Sequence, residues 1–229
     1  MNSSPEQPQA ILLVPTSMGA GLTSACLGLI QALDTIGLKA GFLKPFMQNE
    51  LNGPGLDRST ALVSRTLNQR PPSPISQARL ERLLRDDQTD ELMENVIELY
   101  EQVVQQAYRD GSALDLIVVE GVVPTQHTTY ATQTNAQLAH ALNARIILVG
   151  TGDLNEPQAL ADEFNQMTVR LRESYDSVER MSALKQYFSP HLAELETRIT
   201  ATATENPGEY GIAALDLATG ELIGVNTDM

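Results

Sequence analysis

Apolar residues in this chain follow two patterns. Residues 10–14 (Ala-Ile-Leu-Leu-Val), 114–119 (apart from Asp115) and 145–149 (apart from Arg145) are apolar runs without alternation. Such runs predict strands buried on both faces of a parallel sheet. A shorter run at 40–43 predicts a further strand. Between the first and second runs, residues 22–36 carry helix formers and end at Gly37, a residue suited to the left-handed position after a helix. Strand, loop, helix, strand in that order is a βαβ unit. From 89 to 109 the apolar positions Met93, Val96, Ile97, Tyr100, Val103, Val104 and Ala107 recur at helical spacing, with acids in the first turn and Gly111 beyond the end. Another helix is predicted over 135–142. Alternating strands and helices imply an α/β fold: a P-loop-like open parallel sheet with helices on both faces. Polar residues at the strand ends are expected to line its ligand edge.

The remaining segments are polar or rich in turn residues. Residues 1–9 predict a disordered lead-in, with neither the basic nor the apolar stretch of a secretory signal. Residues 49–76, with Pro71-Pro72-Ser73-Pro74, predict a mobile insertion. Beyond the α/β domain, assigned to 10–166, residues 167–190 predict a helical linker. Residues 191–229 predict a helix and a β-hairpin, the latter formed by 210–217 and 222–225 around Ala218-Thr219-Gly220-Glu221.

Charge narrows the choice of partners. Lys and Arg number 15 against 29 Asp and Glu, a net charge of −14, which repels nucleic-acid backbones and anionic membranes. No apolar run approaches spanning length. The single cysteine, Cys26, excludes an internal disulfide, and His127, His140 and His191 lack ligand spacing. A soluble, cytoplasmic protein is expected.

Candidate chemistry lies at the strand ends. A phosphate loop of the form G-x-x-x-x-G-K-[ST] cradles phosphates with backbone N–H groups, meets the outer phosphates with lysine and holds Mg²⁺ with a hydroxyl. Here Thr16 stands in the first glycine place, followed by Ser17, Met18, Gly19, Ala20, the required Gly21, Leu22 in the lysine place, then Thr23 and Ser24. The backbone cradle and helix N-terminus are retained without the cation. Lys44, after the second strand, is placed to bring a cation near the loop. Asp57 and Glu120, with Thr23, are candidate Mg²⁺ ligands, for an ion accompanying a nucleotide or phosphate. The competing readings are a solvated lysine, a helix-capping aspartate and a turn glutamate. No catalytic residue is assigned.

Several of these residues carry a family resemblance. Val14-Pro15-Thr16 followed by Gly21-Leu22-Thr23-Ser24, Phe42-Leu43-Lys44-Pro45, Asp57 before Ser59-Thr60, and Val118-Val119-Glu120-Gly121-Val122-Val123-Pro124-Thr125 occur in order. In these the chain resembles the N-terminal domain of long-form bacterial phosphate acetyltransferases, itself similar to dethiobiotin synthetase. The resemblance implies an accessory role in acetate metabolism: assembly and allosteric control of a separate catalytic domain, self-association, or response to a small-molecule effector. Dethiobiotin synthetases keep the loop lysine and use ATP to close a ureido ring, so Leu22 argues against that activity, which stands as the alternative. Residues 192–225 resemble the first helix and strands of class A β-lactamase-like serine hydrolases. The nucleophile motif Ser-x-x-Lys does not follow the hairpin, and Ser182-Ala183-Leu184-Lys185 precedes it.

Overall fold

The structure, a computed structural model, describes residues 8–48, 57–126, 128–150, 159, 161–183, 212–215 and 222–225. Strands β1 (Gln9–Pro15), β2 (Ala40–Leu43), β3 (Leu116–Glu120) and β4 (Arg145–Val149) form one parallel sheet in the order β2-β3-β1-β4. Around it lie α1 (Leu22–Thr35), α2 (Arg58–Leu67), α3 (Gln77–Arg85), α4 (Thr89–Arg109), α5 (Ala131–Ala141) and a helix over 161–183, α6. The expected P-loop-like α/β fold is present.

Alternation along each strand divides the core into two layers. Leu12, Val14, Leu43, Ile117 and Val119 face α3, α4, α5 and α6, whereas Leu13, Phe42, Leu116 and Val118 face α1 and α2. On α4 the buried stripe is Leu92, Val96, Leu99 and Val103. It is rotated from the stripe expected by periodicity: Met93, Tyr100 and Val104 are only partly covered, and Ile97 is exposed. Both faces of α4 carry apolar residues, so spacing alone left the centre of its stripe undetermined.

Other expectations need correction. The segment expected to be a mobile insertion contains α2, whose N-cap Asp57 accepts from the Thr60 N–H at 3.0 Å. Helix α3, capped by Ser76, follows it. Helix α5 begins at Ala131, four residues before the expected start. Gln9 lies in β1 and Pro8 is buried, its carbonyl accepting from the Tyr100 hydroxyl, so the lead-in gives way to structure earlier than expected. Strand β4 is not buried: Ile146 and Ile147 are 36% and 41% exposed, whereas β2, likewise with one strand neighbour among the described residues, is buried throughout.

The chain divides into two compact units, Met1–Tyr175 and Asp176–Met229. Met167 and Leu171 of α6 are buried in the first core, which thus continues past the residue 166 expected from composition. In the second unit β5 (Ile212–Leu215) and β6 (Leu222–Val225) pair antiparallel, Ile212 opposite Val225 and Leu215 opposite Leu222. The hairpin expected from the sequence is present. The helix expected after residue 191 lies outside the described residues, as do His127 and His191.

Candidate anion site at the strand ends

The carboxyl ends of the central strands bring together residues far apart in sequence. After β1 the chain turns through Gly19 (φ +89°) and Gly21 (φ +68°), and Gly21 is the N-cap of α1. Both occupy the left-handed region, where a side chain is strained. The turn leaves α1 without a side-chain cap, so its first N–H groups remain as anion donors. Leu22, in the lysine place, is 6% exposed and packs with Cys26, Ile30, Phe42 and Val63. It is a core residue. Thr16 is anchored to β4 by its N–H bond to the Val149 carbonyl at 2.9 Å.

Beneath the loop sits a buried polar network. Lys44 Nζ lies 3.0 Å from Asp57 Oδ2 and 3.1 Å from Glu120 Oε1. It also donates to Ser59 Oγ at 3.0 Å. Ser59 Oγ in turn donates to Glu120 Oε1 at 2.9 Å, and Thr23 Oγ1 is 2.9 Å from the same hydroxyl. A hydroxyl has one proton and two lone pairs. With its proton on Glu120, Ser59 accepts from both Lys44 and Thr23, which fixes the direction of every bond. Asp57 has a double role: Oδ1 caps α2 while Oδ2 pairs with Lys44.

The electrostatics are lopsided. Burial pulls the Lys44 ammonium down, but the adjacent carboxylates of Glu120 and Asp57 outweigh it and leave Lys44 above its ordinary value of 10.5. One ammonium faces two carboxylates, and Glu120 Oε2 is buried without a hydrogen-bond partner among the described residues. Cys26 is close enough to feel both Glu120 and Lys44, but burial holds its thiol well above the ordinary range. A buried thiol of this kind is inert.

The structure thus joins Thr23, Lys44, Asp57 and Glu120, and places Gly19, Gly21 and Thr16 in the loop above them. Ser24 is exposed on α1 and is not joined to the network among the described residues. Lys44 stands between the two carboxylates. A Mg²⁺ brought by a phosphate would be held by Glu120, Asp57 and the Thr23 hydroxyl only by sharing the carboxylates with that ammonium.

Sequence reasoning missed Ser59, Gln48 and Asn135. Ser59 is the hub of the network. Asn135 accepts from the Val122 N–H at 2.7 Å and donates to the Val122 carbonyl at 2.9 Å. Gln48 does the same for Val123, at 2.8 and 3.0 Å. The two amides satisfy the backbone that continues from Glu120, as a neighbouring strand would. Between these elements Gly121 has no space for a side chain: a Cβ would stand 2.7 Å from the Leu13 carbonyl oxygen. The signal for these amides was the position of Asn135 and Gln48 near the strand ends, which is invisible until the sheet order is known.

Residues 9–172 match the family described as AAA domain. The chain belongs to that family. Curated relatives are named phosphate acetyltransferase. The Pseudomonas putida protein is 47% identical over 141 residues, 62% of this chain and 19% of the relative. That of Nitrosomonas europaea is 44% identical over 147 residues, 64% of this chain and 20% of the relative. The chain spans about a fifth of the length of these relatives. The Deinococcus radiodurans protein is 32% identical over 219 residues, 93% of this chain and 30% of the relative. This last match reaches into residues 192–225, so the resemblance of the tail to serine hydrolases is not supported. Among the described residues no helix is long and apolar enough to cross a membrane.

Proposed function

We propose that the chain is a non-catalytic accessory domain of the phosphate acetyltransferase type, serving assembly and control of an acetyl-transferring domain, and that its loop binds anions weakly through backbone groups. The observation that carries this reading is Leu22. Transfer of a phosphoryl group depends on cations placed against the charge of the transition state. Leu22 supplies none and is sunk in the core. Lys44, the nearest replacement, is committed to two carboxylates whose combined charge exceeds its own. The names of the relatives support the enzyme type, and a small effector or self-association fits the role.

Two measurements test the proposal. Purified chain, free of host enzyme, should give no phosphate-dependent release of coenzyme A from acetyl-CoA, yet should bind the separately produced remainder of the Pseudomonas putida relative. Release above blank overturns the non-catalytic reading, and failure to bind removes the assembly role. ATP affinity should be weak, because Leu22 is sunk in the core and Lys44 is held by two carboxylates. Submicromolar ATP binding by the unaltered chain, lost on changing Thr23 or Glu120, would show the loop to be a working nucleotide site.

A further inference from the structure

Strand β2 is a terminal strand of the sheet, with β3 as its one strand neighbour among the described residues. Its bonds give the direction of its backbone groups. The Lys39 carbonyl accepts from the Asp115 N–H at 2.9 Å and so points toward β3, and in the parallel register that follows Gly41 and Leu43 face the same way. Ala40 and Phe42 therefore turn their N–H and C=O outward, away from the sheet. Such an edge is a template for a further strand unless something covers it.

The chain covers this edge in part with its own amides. Gln69 donates from Nε2 to the Ala40 carbonyl at 2.7 Å. Further along, Ile75 lies parallel to the extension of β2: its N–H donates to the Pro45 carbonyl at 2.9 Å, and its carbonyl accepts from the Met47 N–H at 2.8 Å. Gln69 stands beside Ala40 and Ile75 beside Phe46, so residues 70–74 run past Phe42. Three of these five, Pro71, Pro72 and Pro74, have no N–H to offer. The backbone N–H and C=O of Phe42 have no partner among the described residues, although Phe42 is 1% exposed. Buried backbone groups are almost always paired.

A cavity of about 600 Å³ lies along Ala40, Gly41 and Phe42, the size of a small-molecule site. Ile30 and Leu67 bound it from the layer of α1 and α2, and Val103 and Leu114 from the layer of α4. An extended chain laid against β2 turns successive side chains toward these two layers in alternation. Charge around the cavity cancels, with Asp34 and Asp110 against Lys39 and Arg70, which suits a ligand without net charge. We propose that this slot binds a short uncharged peptide in extended form, one residue of which exchanges both backbone hydrogen bonds with Phe42, as in an antiparallel pair. The site is independent of the role proposed above.

Nuclear magnetic resonance of the full chain with the blocked tripeptide acetyl-Ala-Val-Ala-methylamide tests the proposal, against the same compound methylated on every amide nitrogen. In the free chain the Phe42 amide should exchange with solvent faster than those of Gly41 and Leu43, which are bonded to β3. The tripeptide should give saturable shifts centred on Ala40, Phe42 and Gln69, and should slow exchange at Phe42 while leaving Gly41 and Leu43 unchanged. Methylation removes the donor to the Phe42 carbonyl and should weaken binding at least about fivefold, the value of one hydrogen bond. Exchange at Phe42 as slow as at its neighbours in the free chain, shifts that do not saturate or that centre elsewhere, or equal affinity for the two compounds would overturn the proposal.

Discussion

Three segments of chain meet on the Lys44 ammonium: β2 through its own backbone, α2 through Asp57 and Ser59, and β3 through Glu120. Removing one member of a buried ion cluster leaves the others charged and unpaired, which typically costs ~3–5 kcal/mol. Lys44→Met should therefore lower unfolding stability by that order in urea denaturation. The sign with pH is also set. A lysine raised above 10.5 in the folded state contributes stability that is complete below that value and lost as pH rises through the higher folded value. The stability difference between the unaltered chain and Lys44→Met should shrink in strongly alkaline solution, and a difference constant across the alkaline range would contradict the network. Much of this site was legible in sequence, because the loop frame, Lys44 and Glu120 each stand at a strand end or just beyond, and Asp57 stands where the next helix begins. Ser59 was not. Its importance depends on α2 facing the sheet, and α2 is a short helix in which the buried residues Ser59, Thr60 and Val63 include one apolar side chain. A stripe so polar carries no helical signal.

At the scale of elements, apolar runs located all four parallel strands but left open which of them lie at an edge. β1 and β3 are central and their runs are buried, whereas β4 has a similar run and remains half exposed. The composition is the same in both places, and a terminal place in the sheet does not decide burial alone, since β2 also has one strand neighbour among the described residues and is buried throughout. Helix α6 shows the converse. Its sequence reads as a polar linker, yet Met167 and Leu171, one turn apart, are buried in the core. Met167 and Leu171, with Tyr175 one turn on, share one face of α6 and dock it while the rest of the helix is solvated. The same helix supplies its own control, since Val169 is exposed. Leu171→Ala should cost ~2–5 kcal/mol through lost burial and the cavity left behind. Val169→Ala should change stability by no more than ~0.5 kcal/mol, as surface substitutions do. Equal losses in thermal or urea unfolding would mean that α6 does not dock through that face.

Across the whole molecule, the division at Tyr175 and Asp176 has a direct consequence for protease sensitivity. Composition alone places the join near residue 166, where buried strands give way to polar sequence, and a protease would then find its first sites in the following twenty residues. The core argues otherwise. Cleavage requires the local chain to open into an extended form, and opening α6 anywhere before Leu171 withdraws Met167 and Leu171 from their contacts with the central layer. Such opening costs a large part of the stability of the first unit, whereas peptide bonds after Tyr175 can be cut without disturbing that layer. Limited proteolysis of the full chain should therefore yield a persistent fragment ending at or beyond Tyr175, identified by intact mass. That fragment should retain the cooperative urea transition of the first unit. A first cut between Met167 and Leu171, with the shortened piece still unfolding cooperatively at the same midpoint, would show that α6 lies on the core without contributing to it.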